Sequence, residues 1–309
     1  MREMLEAVRG GSEALAASPL AIFDCCPTAP LTWSDLTCQA LIDCARAAIP
    51  ATLLAMPLAG ATAPVTLRDS VVQHTAENLS GVVIHQLARP GSPLIWGGCP
   101  VAFDMRHGTT PIGSIESMML ALGHVEVGRH LGLPTHAYFC VSDSKSPDYQ
   151  AGLESGIGAV LAALAGVNVV SGPGILDFVL CQSFEKIVLD HDACSMALRL
   201  VRGFTRREQD TAGLLAELVG QKELLSHPHT RKHWRHELSL PSGLVDRGAY
   251  SDWEATGSLP ADRRAVAEVE RRLALSRPEP LDEGTRDALD EIMRVEARRH
   301  GLAELPTVS

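Results

Sequence analysis

Five times in the first two-thirds of the chain, a short and almost wholly apolar run gives way to a longer stretch with helical spacing. The apolar runs are 20–25 (LAIFDC), 52–56, 94–97 (LIWG), 135–141 (THAYFCV) and 168–171. The helical stretches that follow open at Ser34 and then cover 67–89, 113–132, 148–166 and 176–202. None of the five runs alternates polar and apolar positions. A strand covered by helices on both faces reads this way, whereas a half-exposed antiparallel strand alternates. Ser34, Asp35 and Asp148 stand where helix N-caps belong, and Gly132, Gly166 and Gly203 where C-caps belong. Five βα units in series predict a parallel α/β domain, either doubly wound or of barrel type.

Charge is distributed unevenly along this pattern. From Ala151 to Cys181 the only charged residues are Glu154 and Asp177, so that stretch is expected to be buried on most sides. From Ala261 to His300 nearly half the residues are charged, which predicts solvated amphipathic helices. The polar GFTRREQD at 203–210 reads as a linker between the two regimes. Residues 1–205 are therefore expected to hold the βα units, and 206–309 a helical C-terminal extension with a His-rich segment. The 309 residues carry 27 Lys plus Arg against 37 Asp plus Glu, a formal net charge of −10. A global basic surface for nucleic acid or anionic lipid is excluded on that balance. No signal-peptide shape and no uncharged apolar run of ~18 residues is present, so no transmembrane helix is expected. The eight cysteines lie in apolar stretches without regular spacing, which predicts reduced, buried thiols in a cytoplasmic protein.

Candidate chemistry sits in the loops after the third and fourth runs, because sites in parallel α/β folds form at the carboxyl ends of strands. The first loop holds Asp104, Arg106 and His107; the second holds Asp143, Lys145 and Asp148, with Tyr149 and Gln150 opening the next helix. Arg106 offers a bidentate fork for a carboxylate, and equally for Asp104 beside it, in which case the pair pins the loop. Asp148 suits an N-cap. Asp143 and Lys145 precede the helix and are freer to face a ligand. Lys145 lies too close to carboxylates for a Schiff-base role, which needs a neutral amine. The segment 227–236 (HPHTRKHWRH) holds four histidines, a composition that raises zinc. Their spacings of two, four and three do not aim four rings at one point on a helix, and neither a His-Glu-x-x-His arrangement nor a nearby cysteine completes a ligand set. A helix N-terminus with Pro228 in its first turn is the alternative. Gly-x-Ser-x-Gly does not occur, no Gly-x-Gly-x-x-Gly follows an early strand, and SGPG at 171–174 does not have P-loop spacing.

Three stretches carry a family resemblance: GGCPVAFDMRHGTTPIGSIE, then VSDSKSPDYQAGLESGIGAVLAALAGVNVVSGPGILD, then ELLSHPHTRKHWRHEL with VDRGAYSDWE behind it. With CPTAPLTWSDLTCQALIDCARAAIP and GATAPVTLRDSVVQHTAENLSGVVIHQLARPG ahead of them, the sequence resembles the trimethylamine methyltransferase family, corrinoid-dependent enzymes that demethylate methylated amines and betaines. The resemblance covers essentially the whole chain. It implies a (β/α)8 barrel, partial or complete here with five units visible, followed by the helical tail. It also implies that the chain corresponds to the C-terminal part of a longer enzyme, in a pyrrolysine-free form since only standard residues occur.

The activity implied by the resemblance is methyl transfer from a methylated or quaternary amine, of the trimethylamine or glycine betaine type, to the Co(I) corrinoid (cobalamin) of a partner protein. The expected partners are that cognate corrinoid protein and the small amine or betaine, with no nucleic acid, no membrane and no metal of the chain's own; a homo-oligomer is compatible with this. No catalytic residue is assigned. Aromatic faces and carboxylates bind cations, so Asp104, Asp143, Tyr149, Trp96 and Phe103 are candidates for an ammonium group. Arg106 and Lys145 are candidates for a betaine carboxylate, with His107 and Gln150 completing the substrate-binding set. The two loops are expected to converge. Two alternatives stand beside this: an inactive fragment that only binds a partner, and an unrelated zinc-dependent barrel enzyme built on the histidine cluster.

Overall fold

A computed structural model describes all residues except 208, 209, 222, 303 and 306–309, so two positions of the 203–210 linker lie outside the described residues. The chain is mixed α/β with parallel strands, and it divides into two compact units. The first comprises Met1–Pro111, Ile115–Ala137 and Leu273–Ser309; the second comprises Ile112–Ser114 and Tyr138–Arg272.

The first unit opens with helices α1 (Arg2–Arg9) and α2 (Ser12–Ala17), then β1 (Phe23–Cys25) and α3 (Asp35–Ala47). Ser34 caps α3 by accepting the amide of Thr37 at 3.2 Å, the role its sequence position suggested. Next come β2 (Ala51–Ala55), the short β3 (Leu58–Ala59), α4 (Leu67–Ala88), β4 (Leu94–Gly98), the short β5 (Val101–Ala102), α5 (Ile115–His130) and β6 (His136–Ala137). β1, β2 and β4 pair in parallel in that order, and a parallel bridge from Trp96 to Thr135 sets the fourth run beside the third. Four of the five apolar runs therefore lie side by side in chain order. β2 and β4 are buried at every residue, which explains why neither alternates in sequence. Cys25, Leu41, Cys44, Ala51, Leu53 and Leu94 form a core between α3 and the sheet.

The face of α4 toward the sheet is polar, burying Ser70, His74, Glu77, Asn78 and His85. Two of these groups, Asn78 and His74, reach the backbone of β2 and β4. Asn78 accepts the amide of Ala55 at 3.3 Å and donates to the Gly97 carbonyl at 2.7 Å, and His74 Nε2 lies 3.1 Å from the same carbonyl. Burial pushes His74 down to about 3, so the ring is neutral and Nε2–H donates. Trp96, a candidate cation-binding aromatic, belongs to this interior: it is fully buried, with its indole N–H on the carbonyl of His124 at 2.9 Å.

The second unit contains α6 (Tyr149–Ala165), β7 (Val169–Val170), β8 (Ile175–Leu176), β9 (Cys181–Gln182) and α7 (Phe184–Arg202). Asp148 caps α6 through the amide of Ala151 at 3.0 Å, and Gly166 ends it with φ +67°. The expected helix 176–202 is corrected: β8 and β9 form an antiparallel hairpin, and the helix starts only at Phe184, capped by Ser183. Asp177, Phe178 and Val179 are in the left-handed region, with φ of 49°, 55° and 72°, and a helix cannot run through them. Cys181 rides on this hairpin and is exposed, against the expectation of buried thiols throughout; Cys25, Cys44, Cys99 and Cys140 are buried.

Beyond Arg202 the described residues form helices only: α8 (Thr211–Gln221), α9 (Pro228–Glu237), α10 (Tyr250–Ala255), α11 (Ala261–Leu275) and α12 (Glu283–Arg299). Within the second unit this extension is fastened to α7. Buried Asp192 accepts the backbone amide of Ser242 at 3.0 Å and its hydroxyl at 2.5 Å, and Arg199 donates to the carbonyl of Glu237 at 2.9 Å. In the first unit, α12 packs against α1. No helix among the described residues is long and apolar enough to cross a membrane.

Candidate functional site

In the second unit the segment after the fourth apolar run enters a buried turn, Ser142–Asp143–Ser144, with all three residues buried. The turn is held from two sides. Its backbone pairs with the hairpin segment: the Ser142 amide donates to the Ile175 carbonyl at 3.1 Å, and the Asp177 amide to the Ser144 carbonyl at 3.0 Å. From α6, Glu154 Oε2 accepts the Ser142 hydroxyl at 2.6 Å and the Asp143 amide at 2.9 Å, while Gln150 donates to Glu154 Oε1 at 2.9 Å.

This scaffold aims one side chain. Asp143 Oδ2 accepts the amide of Gly113 at 3.0 Å, and Oδ1 is buried without a hydrogen-bond partner. Burial is the largest influence on this carboxyl and raises it to about 6; the Glu154 charge pushes the same way, while the backbone of Gly113 and Ile112 and the Lys145 charge oppose. Gly113 is required for the approach. A Cβ there would lie 2.6 Å from Glu154 Oε2 and 3.1 Å from Asp143 Oδ2.

Lys145 is exposed and folds back. Its Nζ donates to the Asp143 carbonyl at 2.7 Å, lies 3.7 Å from Asp177 and sits 4.0 Å over the ring of Phe178. The left-handed Asp177–Val179 turn is thus the platform on which the lysine rests. Strained non-glycine backbone of this kind persists where the surroundings over-determine it. Tyr149 is exposed at the first position of α6, and Gln150 is exposed and committed to Glu154.

In the first unit Asp104, Arg106 and His107 form a self-contained knot. The Arg106 fork grips Asp104 at 3.1 and 2.7 Å, its own amide adds a bond at 2.8 Å, and His107 Nδ1 lies 3.3 Å from Asp104 Oδ2. The hydrogen bond from Arg106 holds the Asp104 carboxyl well below the usual range. The Arg106 side chain is 82% exposed and its donors face Asp104. Phe103 is half-buried.

The histidine segment is the N-terminus of α9, with Pro228 in the first turn and His227 as the cap, its Nδ1 accepting the His229 amide at 3.2 Å. The rings of His229 and His233 meet at 4.8 Å between centroids, tilted by 59°, and His236 is exposed. Among the described residues no three His, Cys, Asp or Glu side chains gather in a metal-holding group.

Glu154 and Ser142, which build the turn, were not singled out in the sequence. Glu154 carried a usable signal: it is one of only two charges between Ala151 and Cys181, and a carboxylate in so apolar a stretch needs a partner.

Asp143 is thus a buried carboxylate with one oxygen unpartnered, in the loop that follows the fourth apolar run. The sequence matches the trimethylamine methyltransferase (MTTB) family over residues 1–301, and the chain belongs to that family. It is 36% identical over 268 residues to trimethylamine methyltransferase MttB of Methanosarcina thermophila, covering 86% of this chain and 54% of that protein. It is 32% identical over 302 residues to trimethylamine methyltransferase MttB of Desulfitobacterium hafniense, covering 97% and 60%. It is 32% identical over 275 residues to the glycine betaine methyltransferase of Desulfitobacterium hafniense, covering 88% and 57%. The chain thus spans a little over half the length of these relatives.

Proposed function

We propose that this chain serves the transfer of a methyl group from a methylated amine, of the trimethylamine or glycine betaine kind, to the corrinoid of a partner protein. The observation that carries the reading is Asp143: a buried carboxylate with one oxygen unpartnered, in a chain of this family. A quaternary ammonium has no proton to lose, and its methyl carbon is already electrophilic. When the C–N bond breaks, the electron pair stays on nitrogen and a neutral tertiary amine departs, so the departure needs no general acid. The reduced corrinoid, held by its own protein, supplies the nucleophile that takes the methyl group. What this chain contributes is orientation and charge. Asp143 meets the ammonium, Glu154 and Ser142 fix its direction, and burial of the turn limits water at the carboxylate. A protonated tertiary amine meets the same carboxylate.

In this reading the parallel strands belong to a (β/α)8 barrel, with residues 1–205 supplying its βα units and 206–309 the helical extension. Lys145 and Tyr149 stand at the exposed mouth of the site, and Arg106 pins its loop through Asp104. The test is methyl transfer from a panel of donors (trimethylamine, tetramethylammonium, glycine betaine) to a reduced corrinoid protein, followed in the cobalamin spectrum. Transfer from at least one donor supports the reading, and none from any donor, with the corrinoid protein proven competent, defeats it.

A further inference from the structure

Lys186 is 1% exposed, and its Nζ has three partners: Asp190, the Ser155 hydroxyl at 2.8 Å and the Cys140 carbonyl at 3.2 Å. Burying an ion pair costs more than packing an apolar pair of the same size unless its geometry does something else. Here the pair reaches two backbone segments. Lys186 and Ser155 both hold the carbonyl of Cys140, a residue in the left-handed region at φ +62°. Asp190 Oδ2 accepts the amide of Gly174 at 2.7 Å. Cys140 lies three residues before Asp143, and Gly174 one residue before Ile175, whose carbonyl receives the Ser142 amide. The two segments run in direct backbone contact, for a Cβ on Gly172 would lie 1.8 Å from the Phe139 carbonyl oxygen.

We infer that Lys186 and Asp190, with Ser155, are positioning residues: a clamp on α6 and α7 that fixes the backbone on both sides of the Asp143 turn. The inference rests on the reading of Asp143 as the donor's counter-charge. One residue of the pair holds the segment that carries Asp143, and the other holds the segment against which that turn pairs. Without the clamp the left-handed conformation at Cys140 relaxes, the turn loosens, and water reaches Asp143. The groups around this carboxyl are Glu154 from α6, Lys145 on its own loop and the backbone of Ile112 and Gly113, and none of them belongs to the clamp.

The test uses the full chain and two variants, Lys186→Met/Asp190→Leu, which removes both charges together, and Ser155→Ala, which removes one holder of the Cys140 carbonyl. The Asp143 carboxyl is followed by carbon-13 NMR over pH, with Asp143→Asn for assignment, and tetramethylammonium binding by calorimetry. Burial is the main cause of the raised midpoint, so the double variant should show it falling from about 6 toward the ordinary carboxylate range. Tetramethylammonium affinity should fall about tenfold or more. Ser155→Ala should move both in the same direction by less. Folded variants in which the Asp143 midpoint and the affinity both stay at wild-type values would overturn the inference, and should the double variant not fold, Ser155→Ala decides alone. If wild type binds none of trimethylamine, tetramethylammonium and glycine betaine, the functional reading fails, while the Asp143 titration still decides the clamp.

Discussion

The carboxylate of Glu154 accepts the backbone amide of Asp143 at 2.9 Å, so one acid, placed by a helix, sets the direction of another in a buried turn. The same oxygen takes the Ser142 hydroxyl at 2.6 Å. Glu154→Ala leaves a buried hydroxyl and a buried amide without their acceptor. It should cost about 1–3 kcal/mol of stability in urea unfolding. It should also weaken tetramethylammonium binding even though Asp143 is intact. Unchanged binding in a folded Glu154→Ala protein would remove Glu154 from the site.

Asp143 gives a pH dependence of defined sign. Its carboxyl is raised from an ordinary 3.8 to about 6 in the folded chain, so the folded state holds the proton more tightly than the unfolded state. Its contribution to stability is fully present below about pH 4 and is lost as pH rises through about 6, a change of about 2–3 kcal/mol. Cation binding runs the opposite way, because it needs the ionised form, and should strengthen as pH rises through the same window. Asp143→Asn separates the two effects. At pH 7 it should unfold at higher urea than wild type while binding tetramethylammonium at least tenfold more weakly. A variant less stable than wild type at pH 7 would contradict the burial argument.

Two glycines make opposite predictions. At Gly113 a methyl group meets carboxylate oxygens that can swing, so Gly113→Ala should fold normally and lose donor affinity as Glu154 and Asp143 are displaced. At Gly172 the obstacle is a backbone carbonyl that cannot move alone. Gly172→Ala should therefore destabilise the fold by at least about 2–3 kcal/mol in thermal or urea unfolding. Equal stability losses at the two positions would show that the Glu154 carboxylate is as immobile as backbone.

Arg106→Ala tests which partner the guanidinium serves. Its donors grip Asp104. Calorimetry should therefore show no greater loss for glycine betaine than for tetramethylammonium. A loss confined to the carboxylated donor would mean that the fork leaves Asp104 to meet the ligand.

Much of the fold was legible because burial on both faces leaves a plain mark: β2 and β4 are apolar at nearly every position, and Ser34, Asp148 and Gly166 sit at helix ends whose unpaired amides and carbonyls they satisfy. The hairpin at Ile175–Gln182 was not legible. Its turn uses Asp177, Phe178 and Val179 in a conformation that glycine and asparagine usually mark, so the apolar run reads as the start of a helix. Asp143 and Lys145 stood out as charges after a strand, but their different fates depend on Gly113 and Glu154, contacts made over 30 and 11 residues of separation that no local pattern encodes. The Asp104–Arg106 pairing was legible as one of two alternatives, since both partners lie within one turn of chain.

The most direct measurement of the central claim is the rate of methyl transfer to a reduced corrinoid protein by wild type and by Asp143→Asn, at pH 7 and at subsaturating concentrations of the donor that wild type uses. Loss of the counter-charge should lower the rate about ten- to hundredfold, in line with a lost charge-assisted contact, in a protein that remains folded and no less stable. An Asp143→Asn protein that transfers methyl groups at the wild-type rate would contradict the account.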